Sequence, residues 1–493
     1  MSARTGIALA AALLATLAAA AARAVELEAD LLLESDTAWR LRSPRTLQKS
    51  QNRAELDASL RFSPDLRLRG IGRVLWDPAG KLIGSDPDFG QRPLDRWQVG
   101  GSRTLEAELR ELYVEGGLHV AGQRVDLRLG KQQVVWGQSF GLRVLDLVNA
   151  QDFREFILDE FVDARTPVWG LRADALVGET SLQALLFPDF EPDVLPDPES
   201  EFALDPALRG LLPGLVPAAP GQAPLVLLDL APDSPGDWDP ASWGWGLRAG
   251  RMLHGVDLAL YYWDRIDPRG AFARSASALA APGGPSLVVN QLQRDFARVR
   301  TLGFSFSTAL GDFTLWGEGG VSTGRPYVVE DLADADGVVR RSDLEYALGL
   351  DWNGWAPLFA NVQLIHQLTF GDDREIALAR SREFVSILLR FSLRRETLFP
   401  QIFALYGADE DDAMLRPSLE WRASDRLSFV LGADLFSGPR EGLLGQYAQR
   451  RACVPVPAGL PLPGSGDCLF DAPPGRPSRV FLRLRYQLGL RRP

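Results

Sequence analysis

Short runs in which every second residue is apolar recur along the whole chain, and this period of two limits the fold more than any other feature. Ala54, Leu56, Ala58, Leu60 and Phe62 alternate with Glu55, Asp57, Ser59 and Arg61. Val385, Ile387, Leu389, Phe391 and Leu393 stand against Ser386, Arg390, Ser392 and Arg394, and Val480, Leu482, Leu484, Tyr486 and Leu488 against Arg483, Arg485 and Gln487. Side chains of a strand point alternately to its two faces, so each run reads as a strand with one apolar and one charged face. Helical periodicity is nearly absent.

Taken together, the runs predict eighteen strands, near residues 25–34, 54–62, 65–76, 103–115, 123–136, 167–176, 180–187, 243–251, 254–264, 297–308, 311–321, 343–352, 359–370, 382–394, 397–407, 412–422, 426–436 and 479–490. The connections sort by parity. Tight links, as at Ser63-Pro64, Leu310-Gly311 and Arg395-Glu396, interleave with mostly long ones at 35–53, 77–102, 137–166, 188–242, 265–296, 322–342 and 437–478. A soluble sandwich has no need of such sorting, whereas an outer-membrane barrel puts short turns on its periplasmic rim and long loops on its extracellular rim. Aromatic residues agree: Trp76, Trp136, Trp169, Trp243, Trp245, Tyr262, Trp263 and Tyr406 fall at ends facing long loops, and Trp352, Trp355 and Trp421 at ends facing turns. Two such girdles suit the two membrane interfaces. The expected fold is all-β, a transmembrane antiparallel β-barrel of about 18 strands, with 16 as the nearest alternative, in the bacterial outer membrane.

Composition agrees. With 46% hydrophobic and 24% charged residues the chain is too apolar for disorder, and a net charge of −11 carries no nucleic-acid footprint. Residues 1–24 join Arg4, an apolar run from Gly6 to Ala22 and the Ala22-Arg23-Ala24 end, the three parts of a secretory signal peptide, leaving 25–493 as one barrel domain. Outside the cytoplasm, Cys453 and Cys468 read as a disulfide staple in a Pro/Gly-rich loop, worth on the order of 3 kcal/mol in the chain-entropy treatment.

Around the third long connection the chain reads Leu127-Arg-Leu-Gly-Lys-Gln-Gln-Val-Val-Trp-Gly137 and then Leu142-Arg-Val-Leu-Asp-Leu-Val-Asn-Ala-Gln-Asp-Phe-Arg-Glu155. This stretch resembles a family of proteobacterial outer-membrane barrels known mainly as a domain of unknown function, often encoded beside RND-type exporters and distantly like alginate-export barrels and other porins. The resemblance implies the fold and the compartment far more firmly than a substrate. Barrels of this kind often end in an aromatic residue read by the barrel-assembly machinery; this chain ends Leu490-Arg-Arg-Pro493, so either recognition uses Tyr486 or the end is an extension.

With the apolar face toward lipid, the polar face lines a lumen wide enough for water unless something fills it. Pore-lining candidates are Arg61, Arg128, Arg172, Arg248, Arg390, Arg416, Arg483 and Arg485, with Glu318 and Glu345. Charged rings can set ion preference, yet mixed signs suit an internal salt-bridge ladder equally well. The segment 138–165 mixes apolar and charged residues at roughly helical spacing and is expected either to fold inward as a constriction, through Arg143, Asp146, Asp152, Arg154 and Glu155, or to pack as an ordinary rim loop. The Pro-rich connection 188–241 holds eleven acids against the single base Arg209, around an apolar centre. It reads as a lid or partner-docking surface, or as a solvated loop. Catalysis has little support: His119 and His254 fall in or next to short turns, and His366 lies on a strand, pointing outward, with no Ser or Asp tied to it by motif. No cofactor or metal spacing is present.

The expected function is a porin-like channel for passive passage of small or hydrophobic solutes, serving as the outer-membrane partner of an export or uptake system. The alternative is a non-conducting binding or structural barrel that recruits a partner through its acidic loop.

Overall fold

The computed structural model describes residues 26–42, 45–79, 96–98, 104–196, 201–202, 223–229, 238–279, 287–329, 334, 336–371, 376, 379–439, 442–448, 454–455, 468–470 and 477–492. The signal-peptide reading of 1–24, Cys453 and most of the acidic 188–241 connection lie outside them.

Nineteen strands share the main sheet; one is the three-residue piece Arg96–Gln98, and the other eighteen close into an antiparallel barrel. They are β1 (Glu26–Arg40), β2 (Leu47–Ser63), β3 (Leu66–Trp76), β4 (Leu105–Val120), β5 (Gln123–Gln132), β6 (Val168–Val177), β7 (Thr180–Phe187), β8 (Gly244–Leu253) and β9 (Val256–Ile266). There follow β10 (Arg298–Leu310), β11 (Phe313–Val328), β12 (Val338–Trp355), β13 (Leu358–Thr369), β14 (Ser381–Phe391), β15 (Leu398–Gly407), β16 (Asp412–Arg422), β17 (Leu427–Ser437) and β18 (Arg479–Arg492). Each pairs with its chain neighbours, and β18 returns to β1 with Leu31 opposite Leu488 and Leu27 opposite Arg492. Closure pairs the backbone all the way round, which the hydrocarbon zone requires.

Every strand expected from the alternation is present. The apolar face points outward: Leu302 is 63% exposed, Leu260 57% and Leu431 54%, while their polar neighbours turn into the lumen. A closed barrel with such an outer band belongs in the bacterial outer membrane.

Two of the expected long loops shrink. β1 and β2 run on to residues 40 and 47, so the connection expected at 35–53 is only 41–46. The extra length is polar: Glu34 faces Arg53 at 3.2 Å and Asp36 faces Lys49 at 3.2 Å, and charges satisfied across a lumen give no apolar alternation to read. Likewise Val328 pairs with Val338, which cuts the 322–342 connection to 329–337.

The girdles are partly corrected. Trp76, Trp245 and Tyr406 on the loop rim and Trp355 and Trp421 on the turn rim are exposed, as an interface belt needs. Trp136 and Trp263 instead meet edge to face inside the barrel, ring centroids 5.5 Å apart. The cause is parity. Tyr262 takes the outward position beside Trp245, which sends Trp263 inward; and β5 ends at Gln132 rather than near 136, so Trp136 already belongs to the following connection.

Beyond the rim, residues 223–229 pair in parallel with 287–295, which pair antiparallel with 271–279, a small sheet built from two long connections.

Candidate functional site

The connection from Gln133 to Pro167 leaves β5 and runs through the barrel interior. It contains one helical turn, Phe161–Ala164, and a short antiparallel ladder of Ala150–Gln151 with Arg165–Thr166, and is otherwise irregular, so the near-helical spacing of Asp152 to Phe161 does not form a helix. Its side chains and carbonyls are taken up by the walls instead, and Phe156 adopts a left-handed backbone (φ 57°) that breaks any regular turn.

The resembling motif is what anchors this segment at its root. Gly130 sits at φ 137°, where an added Cβ would lie 2.1 Å from the Leu112 carbonyl oxygen, so no other residue lets β4 and β5 approach there. The Gln132 amide donates to the Gly170 carbonyl (3.1 Å), and the Trp136 indole donates to Gln183 of β7 (2.6 Å). Asn149 ties the two ends of the segment together, accepting from the Val134 amide (2.9 Å) and donating to the Thr166 carbonyl (3.0 Å).

Further along, the segment is bound to strands all around the barrel. Glu318 of β11 accepts from the Gln138 amide (2.7 Å) and the Leu145 amide (3.3 Å), and Gln363 of β13 accepts from the Phe140 amide (3.2 Å). Arg265 of β9 donates to the Val148 carbonyl (2.8 Å), and Arg154 pairs with Glu106 of β4 (3.4 Å). Glu155 lies between Lys49 of β2 and Arg479 of β18, 2.7 Å from the latter. Arg416 of β16 donates to the Leu158 carbonyl. Glu160 takes Arg483 (3.0 Å) and Arg485 of β18, and Asp163 takes Arg53 of β2 (2.6 Å) and Arg73 of β3 (2.5 Å). Strands on opposite sides of the barrel therefore hold one connection, which lies across the lumen.

Its apolar residues make a small core there. Val144, Leu145, Val148, Phe156 and Leu158 are buried with Phe202 from the next long connection and with Leu444 and Tyr447 from the last. Tyr447 packs against Phe156 (centroids 4.8 Å) and Phe202 (5.8 Å). Four of the described acids of the 188–241 connection are turned inward: Asp189, Glu191 and Asp193 are buried, Asp193 accepts from the Gln151 amide (2.8 Å), and Glu201 meets Arg40 of β1, whereas Asp239 is exposed.

Eight of the ten pore-lining candidates fall into two sets. Glu318, Arg416, Arg483 and Arg485 hold the inner segment, as above. Nearer the turn rim the walls pair with themselves: Arg128 with Glu115 (2.9 Å), Arg172 with Asp174 (2.6 Å), Arg61 with Glu26 (3.5 Å) and Arg390 with Glu420 (3.8 Å). Glu345 receives Arg325 at 2.9 Å and Arg269 at 3.2 Å. Arg248 lies over the Tyr261 ring, 5.6 Å from its centroid, with no carboxylate paired to it among the described residues. Within the segment, Asp152 pairs with Arg154 (2.6 Å), and Asp146 takes Arg165 at 2.8 Å and Arg143 only at 3.6 Å.

Sequence reasoning missed Lys49, Arg53 and Arg479, which lie on strand ends beyond the apolar alternation. It also found no partner for His366, whose Nε2 lies 2.8 Å from the Ser381 hydroxyl and whose Nδ1 lies 3.1 Å from the Tyr346 hydroxyl.

Burial and charge set the protonation of the segment. Burial pushes the Glu155 and Asp163 carboxyls up, but Lys49 and Arg479 beside the first, and Arg73 and Arg53 beside the second, outweigh it and hold both below the usual range. For Asp159 the compensation by Lys49 is too small: burial, with Glu155 adding to it, pushes its carboxyl up to about 7.

Among solved structures, the chain is similar to Acinetobacter baumannii OccAB1 (8% identity, TM-score 0.48, covering 95% of this chain and 96% of that one). It is also similar to Pseudomonas aeruginosa OpdK (12% identity, TM-score 0.45, 94% and 99%) and to A. baumannii OccAB2 (9% identity, TM-score 0.48, 94% and 98%). No curated protein sequence matches it. Residues 98–436 match the model of a family described as a protein of unknown function, DUF1302.

Proposed function

The chain belongs to the DUF1302 family of unknown function, and from that premise we propose that it is a porin-like outer-membrane channel in which the 138–165 segment forms the constriction. Small or hydrophobic solutes diffuse past this segment, and the barrel acts as the outer-membrane element of an export or uptake system. The observation that carries the reading is the binding of one connection to β2, β3, β4, β9, β11, β16 and β18 at once. A rim loop has no reason to place Glu155 and Asp163 on wall cations, whereas a constriction must be held from several sides to keep its width.

The apolar core of Leu145, Phe156, Leu158 and Tyr447 favours a second reading, a plugged barrel that binds a partner or ligand without conducting. Planar-bilayer recordings separate the two. A channel gives conductance steps that grow when residues 138–165 are deleted; a barrel silent with and without the segment is not a channel.

A further inference from the structure

Between the inner segment and the β9 wall lies a cavity of about 190 Å³ whose lining includes Leu142, Leu147, Phe156 and Trp263 on its apolar side and the guanidiniums of Arg143 and Arg265. It holds more than enough room for several water-sized groups. Most charges that line it are already matched. Asp267 and Glu345 are taken by Arg269 and Arg325, Asp152 by Arg154, and Asp146 by Arg165 at 2.8 Å. The exceptions are Arg143 and Arg265 among the cations and, among the acids, Asp159 and Asp193, whose carboxyls burial pushes up toward the neutral form. Arg143 reaches only the already occupied Asp146, at 3.6 Å; it lies over the Phe161 ring at 4.5 Å, and its Nη1 is buried with no hydrogen-bond partner. Arg265 donates to a single neutral group, the Val148 carbonyl, and otherwise lies over the Trp263 ring at 5.7 Å.

Leaving a guanidinium donor buried and unmatched, as Arg143 Nη1 is, is costly, and with the half-buried Arg265, to which no carboxylate is paired among the described residues, on the same cavity it defines a place where an anion is stabilised. We propose that this cavity is a binding site on the solute path for an amphipathic monocarboxylate, its carboxylate bridging Arg143 and Arg265 and its apolar body lying against Leu142, Leu147, Phe156 and Trp263. A planar carboxylate matches the guanidinium fork, and the aromatic and aliphatic wall takes a hydrocarbon body but repels a second charge. Burial lowers the Arg143 guanidinium to about 10, only partly offset by Asp146, as expected of a cation that awaits a counter-ion. The inference deepens the channel reading by naming a solute class, yet binding is measured without conduction, so the two fail separately.

The test uses the full-length barrel purified in detergent and titrated calorimetrically with 4-phenylbutyrate, 4-phenylbutanol and 4-phenylbutylamine. The carboxylate is expected to bind at least tenfold more tightly than the alcohol, and the amine not at all. Arg143→Met and Arg265→Gln are each expected to weaken the carboxylate tenfold or more while leaving the alcohol unchanged. Arg143→Lys and Arg265→Lys, which keep the charge and the barrel contacts, are expected to retain part of the affinity. Equal binding of alcohol and carboxylate, or full affinity in folded Arg143→Lys/Arg265→Gln protein, overturns the proposal. Carboxylate binding by a barrel silent in bilayers leaves the site standing and removes the channel.

Discussion

Glu155, in the middle of the inner segment, lies 2.7 Å from Arg479, the first residue of the strand that closes the barrel. The carboxylate also meets Lys49, and all three side chains are within 4% of full burial. The constriction is thus tied to the seam between β18 and β1. Glu155→Gln removes the anion the two cations share, while Lys49 keeps Asp36 at 3.2 Å and Arg479 keeps Asp434 at 2.7 Å. Losing such a charge-assisted contact costs about 1.5–3 kcal/mol, and the strain falls on the segment, because the strand ladder holds β18 independently. Hydrogen exchange is expected to speed up across residues 150–166 and not in β1 or β18, and single-channel conductance to rise. Unchanged protection of the segment refutes the anchoring role.

Asp159 makes this anchor sensitive to pH. Its carboxyl is pushed from the ordinary 3.8 up to about 7, so between those values the seated segment keeps a proton that a released one loses. The resulting stabilisation is complete at low pH, declines as pH rises, and is gone above about 7. Conductance is expected to be low and steady at pH 5.5 and higher or noisier at pH 8. Asp159→Asn is expected to remove most of that dependence and to hold the low-pH behaviour throughout. A wild-type profile that is flat over this range rules the latch out.

Asp163 tests the adjoining stretch of the same wall, at β2 and β3. It joins Arg53 and Arg73, on neighbouring strands, to the single helical turn of the segment. Asp163→Asn keeps the shape and removes the charge, so the two arginines meet an uncharged amide and keep only Glu34 and Glu55 among the described carboxylates. The segment is expected to loosen by about 1–3 kcal/mol, and anion over cation permeability, read from the reversal potential in a salt gradient, is expected to increase. No shift in reversal potential means that ions do not pass this wall.

The barrel was legible in the sequence because lipid selects apolar side chains at every second position, a signal carried by single strands such as 385–394 without reference to anything else. The ends of β1 and β2 were not legible, since Asp36, Lys49 and Arg53 are satisfied by charges across their own hairpin and by Arg483, Glu155 and Asp163 far away in the chain, none of which leaves an apolar alternation. The same holds for the candidate site. The motif from Leu127 to Glu155 marked where it begins, and the mixed composition of 138–165 suggested an inward path, but the partners of Glu155, Glu160 and Asp163 come from β2, β3 and β18, and no local pattern pairs them. Trp136 and Trp263 show the limit of reading aromatics by position along a strand: which face they take depends on where the strand ends and on its neighbours.

Gly130 offers the sharpest test of the link between barrel and constriction. It is the residue of the motif where the chain is about to leave β5, and its positive φ and its approach to the Leu112 carbonyl both exclude a side chain. Gly130→Ala must therefore push β5 away from β4, or turn the peptide and shift every residue after it. Residues from Lys131 onward set the starting point of the inner segment, so a shift there moves Trp136 off Gln183 and Asn149 off the Val134 amide. The strands remote from this point have their own lipid-facing rows and ladders and are expected to close as before. Gly130→Ala is thus expected to give a barrel of normal far-UV circular dichroism whose inner segment is cut by added protease within 133–167, where the wild type resists. A variant that fails to assemble at all places the strain in the wall instead, and one that resists protease like the wild type shows that the segment is held by its far contacts alone.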